Sequence, residues 1–253
     1  MSVKIIQEPI YNQIKNTNSG FQNKHITGIS DVISSGLEVV GLNNQTQYIE
    51  FNGVVAVDVV SNNTGDSSGG TGAKTIQVSG LYSDGGDGHK YKPRVATFTL
   101  DGTTNASLAS GINSFSVINE VRVISHGTSN SNIGAISVKK TGTTSLMGFI
   151  QPTHGASNTF SFAVPNRNTL LVKDIHITAF CQTGCVLRLY RQQLISGHRT
   201  LESQIIVNDQ TSHINHQINL KINENEIFYC FLLPLETITG TNMLTMNCSS
   251  LLV

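Results

Sequence analysis

A hydrophobic period of two runs through nearly the whole chain and limits what it can fold into. Ile214, His216, Ile218, Leu220 and Ile222 alternate with Asn215, Gln217, Asn219 and Lys221. Successive side chains of a strand point to opposite faces, so this is the pattern of one half-buried strand. Phe160, Phe162 and Val164 alternate with Ser161 and Ala163, and Ile175, Ile177 and Ala179 with His176 and Thr178. Phe115, Val117, Val121 and Val123 share one parity, with Glu120 and Arg122 on the other. Residues 54–60, 74–80, 94–100, 134–139, 186–191, 201–207, 227–233 and 243–248 are further strand candidates. No segment sustains helical spacing over three turns, and only residues 31–40 are expected to hold a short helix. Clusters of Gly, Asp, Ser and Asn punctuate the strands at 65–72, 83–88, 101–102, 166–168 and 182–184. Short strands with turn signals every 8–12 residues or so argue for antiparallel sandwiches rather than parallel α/β. The expected fold class is all-β.

With 253 residues the chain has room for two domains. A Thr/Gly stretch at 140–144 separates a Gly-rich half with long loops from a half with longer strands and more Leu, Ile, Cys and Met. The expected division is an N-terminal extension or arm over 1–50, a first β-sandwich over 51–142 and a second over 143–253.

Charged residues make up 13% of the chain, about half the usual share of ~25%, and the formal net charge is zero. Nucleic-acid binding through phosphates needs a basic patch to release counterions, and Lys and Arg are scattered here. Direct nucleic-acid binding is therefore not expected. No stretch approaches the ~20 apolar residues that span a bilayer, and the N-terminus has no apolar core of a secretory signal. The expectation is a protein made in a cytoplasm and not inserted in a membrane. Cys181, Cys185, Cys230 and Cys248 then read as buried thiols.

Several motifs invite chemistry and lack a part of it. Gly69-Gly-Thr-Gly-Ala-Lys74-Thr75 looks superficially like a phosphate loop. Ala73, however, stands where the Gly before the Lys is needed, and a strand rather than a helix follows. Asp84, Asp87 and His89, with Asp66 as a further candidate, offer too few carboxylates at the wrong offsets for a calcium loop. Cys181 and Cys185 lack a second pair at zinc spacing and read as flanks of a tight hairpin turn whose positive-φ residue is Gly184. His213 and His216, three apart in a strand, fall on opposite faces. No Gly-X-Ser-X-Gly elbow and no acid–base constellation is present, so no catalytic, cofactor-binding or metal residue is assigned and the chain is expected not to be an enzyme.

The run Ser61-Asn-Asn-Thr-Gly-Asp-Ser-Ser-Gly-Gly-Thr-Gly-Ala-Lys-Thr-Ile-Gln-Val-Ser-Gly-Leu81 resembles a segment of β-sandwich virion structural proteins of marine tailed phages and large algal DNA viruses. Further landmarks are similar in order: Thr99-Leu-Asp-Gly-Thr-Thr104, Ser114-Phe-Ser-Val-Ile-Asn-Glu-Val-Arg-Val-Ile124, Asn132-Ile-Gly-Ala-Ile136, Phe162-Ala-Val-Pro165 with Thr169-Leu-Leu-Val172, and Leu187-Arg-Leu-Tyr-Arg191. The resemblance covers roughly residues 54–250. It departs at 84–93, where the loop is longer, and at Asn166-Arg-Asn168, which replaces an Ala-Gly-Lys turn. It implies two jelly-roll-like sandwiches in tandem and, for function, a capsid or other virion component; the expected role is a capsid, minor capsid, penton or cement protein, with no choice made among them. The expected partners are other virion proteins and further copies of the chain, with trimers or pentamers both natural because heterologous interfaces close into rings. The loops 62–73 and 83–93 and the segment 1–50 are the expected contact elements. The rival expectation is a host-attachment module of the virion surface that binds glycans, with Tyr82 and Tyr91 as its aromatic platform.

Overall fold

The computed structural model describes residues 22–30, 38–41, 53–83, 91–181, 184–207, 210–235 and 243–253. Among them every element is a strand, so the all-β expectation holds. In chain order the strands are β1 (Gln22–Ser30), β2 (Glu38–Val39), β3 (Val55–Ser61), β4 (Ala73–Ser83), β5 (Tyr91–Asp101) and β6 (Thr104–Gly111). There follow β7 (Ser114–Phe115), β8 (Val117–His126), β9 (Ile136–Lys140), β10 (Leu146–Ile150), β11 (Ser161–Ala163) and β12 (Leu170–Cys181). The last five are β13 (Cys185–Gln193), β14 (Arg199–Val207), β15 (Gln210–Ile222), β16 (Glu226–Pro234) and β17 (Met243–Leu252). Glu38 and Val39 form a strand within the stretch 31–40 expected to be a short helix; residues 31–37 lie outside the described residues.

Four sheets stack around two apolar cores. The first two belong to the segment β3–β10. In one, the hairpin-connected strands β4, β5 and β6 are joined by β8, which returns beside β4, giving the order β6-β5-β4-β8 of a Greek key. The other runs β10-β9-β3-β7. Val57, Val59, Ile76, Val78, Phe98 and Val121 are among the inward residues that fill the space between them.

The other two sheets run β1-β17-β12-β15 and β11-β16-β13-β14, with β2 pairing beside β16 as well. From β11 onward the chain crosses from one sheet to the other at every connection except the β13–β14 hairpin. Together with β1 and β2 this is the winding of a jelly roll. Its core takes Leu170, Ile175 and Ile177 from β12, Leu187 and Leu189 from β13, and Phe228 and Cys230 from β16.

The segment expected to be an N-terminal arm thus contributes two strands of the jelly roll. β1 pairs antiparallel with β17 along its whole length, Gln22 opposite Leu252 through Ser30 opposite Leu244. β2 pairs with Phe231 and Leu232, and β11 with Ile227–Tyr229, so both occupy the same edge of β16. The chain leaves that edge at Val39, builds β3–β10, and comes back to it at Ser161. The first sandwich is an insertion into the jelly roll rather than a domain placed ahead of it.

β16 shows how the two are joined. Its run Ile227-Phe-Tyr-Cys-Phe-Leu is buried throughout, as a strand covered on both faces must be. Phe228, Cys230 and Leu232 face the jelly-roll core, while Ile227, Tyr229 and Phe231 belong to the core of the inserted sandwich. Tyr190 from β13 stacks on Tyr229 with ring centroids 5.8 Å apart, and Phe231 meets Tyr229 edge-on at 5.3 Å. The Tyr229 hydroxyl donates to Gln192 Oε1 at 2.8 Å, which keeps its one polar atom satisfied under that layer.

Cys185, Cys230 and Cys248 are free thiols and buried, in line with the expectation, whereas the Cys181 side chain lies outside the described residues. Burial pushes the Cys230 thiol well above its ordinary range and the Cys248 thiol up to about 12. In the unfolded chain both ionise near their ordinary value of 9.0. Above that pH the unfolded state binds fewer protons than the native one, so stability falls as pH rises. Urea titrations stepped from pH ~8 to ~11 should lose up to about 1.4 kcal/mol per pH unit per thiol. A Cys248→Ala variant should flatten that slope; an equally steep decline in it would assign the effect to other groups.

Candidate functional site

The Gly-rich loop between β3 and β4, the most site-like stretch of the sequence, is a packed knot. Asp66 is fully buried, and four protein donors fill its carboxylate. The N–H groups of Ala73 and Ile133 donate to Oδ1 at 2.9 and 2.8 Å, and the Ser61 hydroxyl and the Gly134 N–H donate to Oδ2 at 2.7 and 2.8 Å. Gly72 is glycine because a Cβ there would lie 2.1 Å from Asp66 Oδ1. The apparent phosphate loop is therefore closed by an internal carboxylate, which occupies the place an anion would need. Asp66 is equally unable to serve a cation, since its lone pairs are already taken. Asp84, Asp87 and His89 lie outside the described residues.

Asn132 extends the knot. Its amide nitrogen donates to the carbonyls of Gly134 and Gln151, both at 2.7 Å, and its oxygen accepts from Ser131 and the Gly155 N–H. One Asp and one Asn thus hold the loops at 61–73, 131–135 and 151–155 together. In sequence this stretch reads only as a Gly-rich connector between strands, and the Ser-Asn-Asn-Thr-Gly-Asp run carries no pattern that would announce a buried carboxylate.

The histidine candidates fall where their spacing suggests, and the turn candidate does so only in part. Gly184 has the expected positive φ, 73°, but Cys181 and Cys185 do not flank a hairpin: they end β12 and open β13, which belong to different sheets, so the chain crosses between sheets there. His216 is in register with the buried Ile175 and bonds Ser203, while His213 is in register with Thr178 and bonds its hydroxyl, so the two face opposite ways. No group of three metal-ligating side chains occurs among the described residues. The tyrosines do not form the expected platform. Tyr91 is 2% exposed, with its hydroxyl donating to the Leu194 carbonyl at 3.1 Å. It is part of the junction between the sandwiches and cannot be a sugar platform. Tyr82 is half-buried, and the Arg94 guanidinium lies 3.6 Å from its ring centre, covering one face.

A groove of about 550 Å³ runs along the seam between the sandwiches. Several of its polar side chains are committed to the fold. Arg94 donates to the carbonyl and hydroxyl of Ser114, Asn119 exchanges two bonds with the Ala163 backbone, and Ser157 accepts from the Val121 N–H. Such a groove positions two sheets against each other and presents little convergent chemistry to a ligand.

The exposed surface is more distinctive. β6 forms the edge of its sheet and is solvent-exposed at every position but Ala106, on both faces. Leu108 on β6, Val95 on the neighbouring β5 and Ile112 just beyond are 43%, 50% and 57% exposed. Thr104-Asn-Ala-Ser-Leu-Ala-Ser-Gly111 contains no charge and no proline. Among the described residues, Arg191 meets Glu202 at 2.8 Å and Glu226 at 3.6 Å.

Among the described residues, these features define an all-β protein of two stacked sandwiches with a groove along their seam and an exposed, uncharged edge strand. No family model matches the chain, and no curated protein matches it. Among solved structures, it is similar at 12% identity to that of infectious bursal disease virus Gt strain (TM-score 0.21, covering 92% of this chain and 71% of that one). It is similar at 10% identity to an allantoicase (TM-score 0.28, covering 98% of each chain). An insecticidal delta-endotoxin Cry8Ea1 from Bacillus thuringiensis is also similar at 10% identity (TM-score 0.27, covering 96% of this chain and 55% of that one).

Proposed function

We propose that the chain is a structural component of a virus particle, a capsid, minor capsid, penton or cement protein, that acts through contacts with other virion proteins and with copies of itself. The observation that carries this reading is β6, a long, uncharged edge strand left open on both faces. Proteins that live as monomers protect such edges with Lys, Pro or a covering element, because unpaired N–H and C=O groups recruit other chains. A subunit built to pack into a shell has a use for the open edge. The sparse charge fits the same role, since desolvating charges at a permanent interface is costly unless each is well paired. The jelly-roll winding occurs in capsid and lectin domains alike, so it is compatible with the reading without selecting it. The resemblance of the landmarks between residues 61 and 191 to virion structural proteins supports the capsid side.

No catalytic role belongs to this proposal, and neither does membrane insertion. Its location is the virion, after synthesis and assembly in the host cytoplasm. The test is quantitative electrophoresis and mass spectrometry of purified virions, including particles stripped of external fibres. The expected result is a fixed stoichiometric ratio to the major shell protein; absence from virions would sink the proposal.

A further inference from the structure

We propose that β6 is a self-pairing edge, on which two copies of this chain join their β6 strands antiparallel across a two-fold axis. The inference rests on the reading of the chain as a subunit that assembles through protein contacts, and it names the partner of that surface as a second copy.

The comparison among edges selects β6. Each of the other long edge strands carries charge: Lys24 on β1, Glu120 and Arg122 on β8, Arg199 and Glu202 on β14, and Lys221 on β15. β10 has no charge, but all five of its residues are buried. β6 alone among the described long edges is both neutral and open. Its inner side pairs with β5 from Ala96 opposite Gly111 to Asp101 opposite Thr104, and no described strand pairs with its outer side.

Neutrality also selects the occupant. An isologous contact sets a surface against itself, so any charge on it meets its own copy or must find an opposite charge elsewhere on the same strand. An uncharged strand has no such conflict. With the axis at Leu108, that residue faces its own copy on the core-facing side of the pleat, while Ser110, set off from Leu108 by a bulge in the pairing with β5, lies on the other side opposite Thr97. Directly opposed side chains of an antiparallel pair lie about 5 Å apart at Cβ, close enough for two leucines to cover each other. Leu108, left 43% exposed on the core-facing side of its sheet, gains a partner of matching size. The four-stranded sheet continues into that of the second copy, and the open ladder is completed.

Sedimentation of the full chain over a concentration series, with Leu108→Lys and Leu108→Glu variants, tests this. The chain should show a monomer–dimer equilibrium. Each variant should raise the dissociation constant at least about tenfold, because like charges then oppose each other across the axis. Thermal melting of both variants should stay near that of the parent, since the side chain is exposed. Mixing the two variants should restore dimer, as a Lys then faces a Glu. A parent chain that stays monomeric overturns the proposal, as does unimpaired association of the variants. A mixture no tighter than either variant alone also overturns it, placing a different contact or partner at the edge. A monomeric chain that still copurifies with virions overturns the pairing while leaving the particle reading in place.

Discussion

Replacing Asp66 with alanine is expected to cost the fold about 3–5 kcal/mol, the range for stripping one partner from a buried charged network. The substitution leaves the N–H groups of Ala73, Ile133 and Gly134 and the Ser61 hydroxyl without their acceptor, in a place the loops themselves seal. Each orphaned buried donor carries a penalty of about 1–3 kcal/mol, partly relieved if water enters the vacated space. Asp66→Asn separates size from chemistry. An amide fills the same volume but turns one oxygen into an NH₂ group, which then points at donors rather than serving them. Its cost should approach that of alanine. Urea denaturation followed by circular dichroism gives both values. A loss below about 1 kcal/mol for alanine would mean that the three loops hold their shape without the carboxylate. Since domains are stable by only about 5–15 kcal/mol, the expected loss is a large share of the whole.

Deleting β1, Gln22–Ser30, should abolish cooperative unfolding and drive the chain into aggregates. β1 closes one edge of the jelly roll by pairing with β17 along its length, and Ile26 lies in the core beside the strands of both sheets. Without it β17, Met243–Leu252, becomes an open edge with no charged residue, the kind of edge that recruits other chains. A point substitution probes the same join. A Cβ at Gly28 would sit 2.5 Å from Phe160 Cβ and 2.7 Å from Val40 Cγ1, so Gly28→Val forces β1 away from its neighbours. Overpacking of this kind costs about 1–3 kcal/mol and occasionally more. Soluble, two-state behaviour of the β1 deletion would show instead that residues beyond β1 complete the jelly roll by themselves.

The strands that the sequence announced are those with one wet face and one dry face. β15 alternates from His213 to Ile222, and β12 and β14 alternate over most of their length, because each lies between a core and solvent. β16 announced itself differently, as an unbroken apolar run, and the structure shows the cause in its two buried faces. Four strands gave little signal. β6 is exposed on both sides and β10 buried on both, so neither alternates; β2 is too short. β1 places Ile26 and Gly28 inward, and a glycine that serves close approach to Phe160 looks in the sequence like a turn residue.

The candidate site followed the same division. That the Gly-rich stretch 65–72 connects two strands was legible from residue types and spacing. That the Gly-rich loop is a packed knot was not, because the donors gathered on Asp66 come from positions five to sixty-eight residues away. Tyr82 and Tyr91 looked alike as loop aromatics, yet one is covered by Arg94 and the other is buried against Leu194.

By itself, then, the sequence determined the all-β class, the place of most strands and the shortage of charge, since these depend on local periodicity and composition. Only the tertiary structure decided that the N-terminal strands belong to the C-terminal jelly roll, that the first sandwich is inserted within it, and that β6 is the edge left open. Strand pairing is a choice among edges with similar backbone groups. For residues more than two hundred positions apart, that choice is settled by which cores can close at the same time.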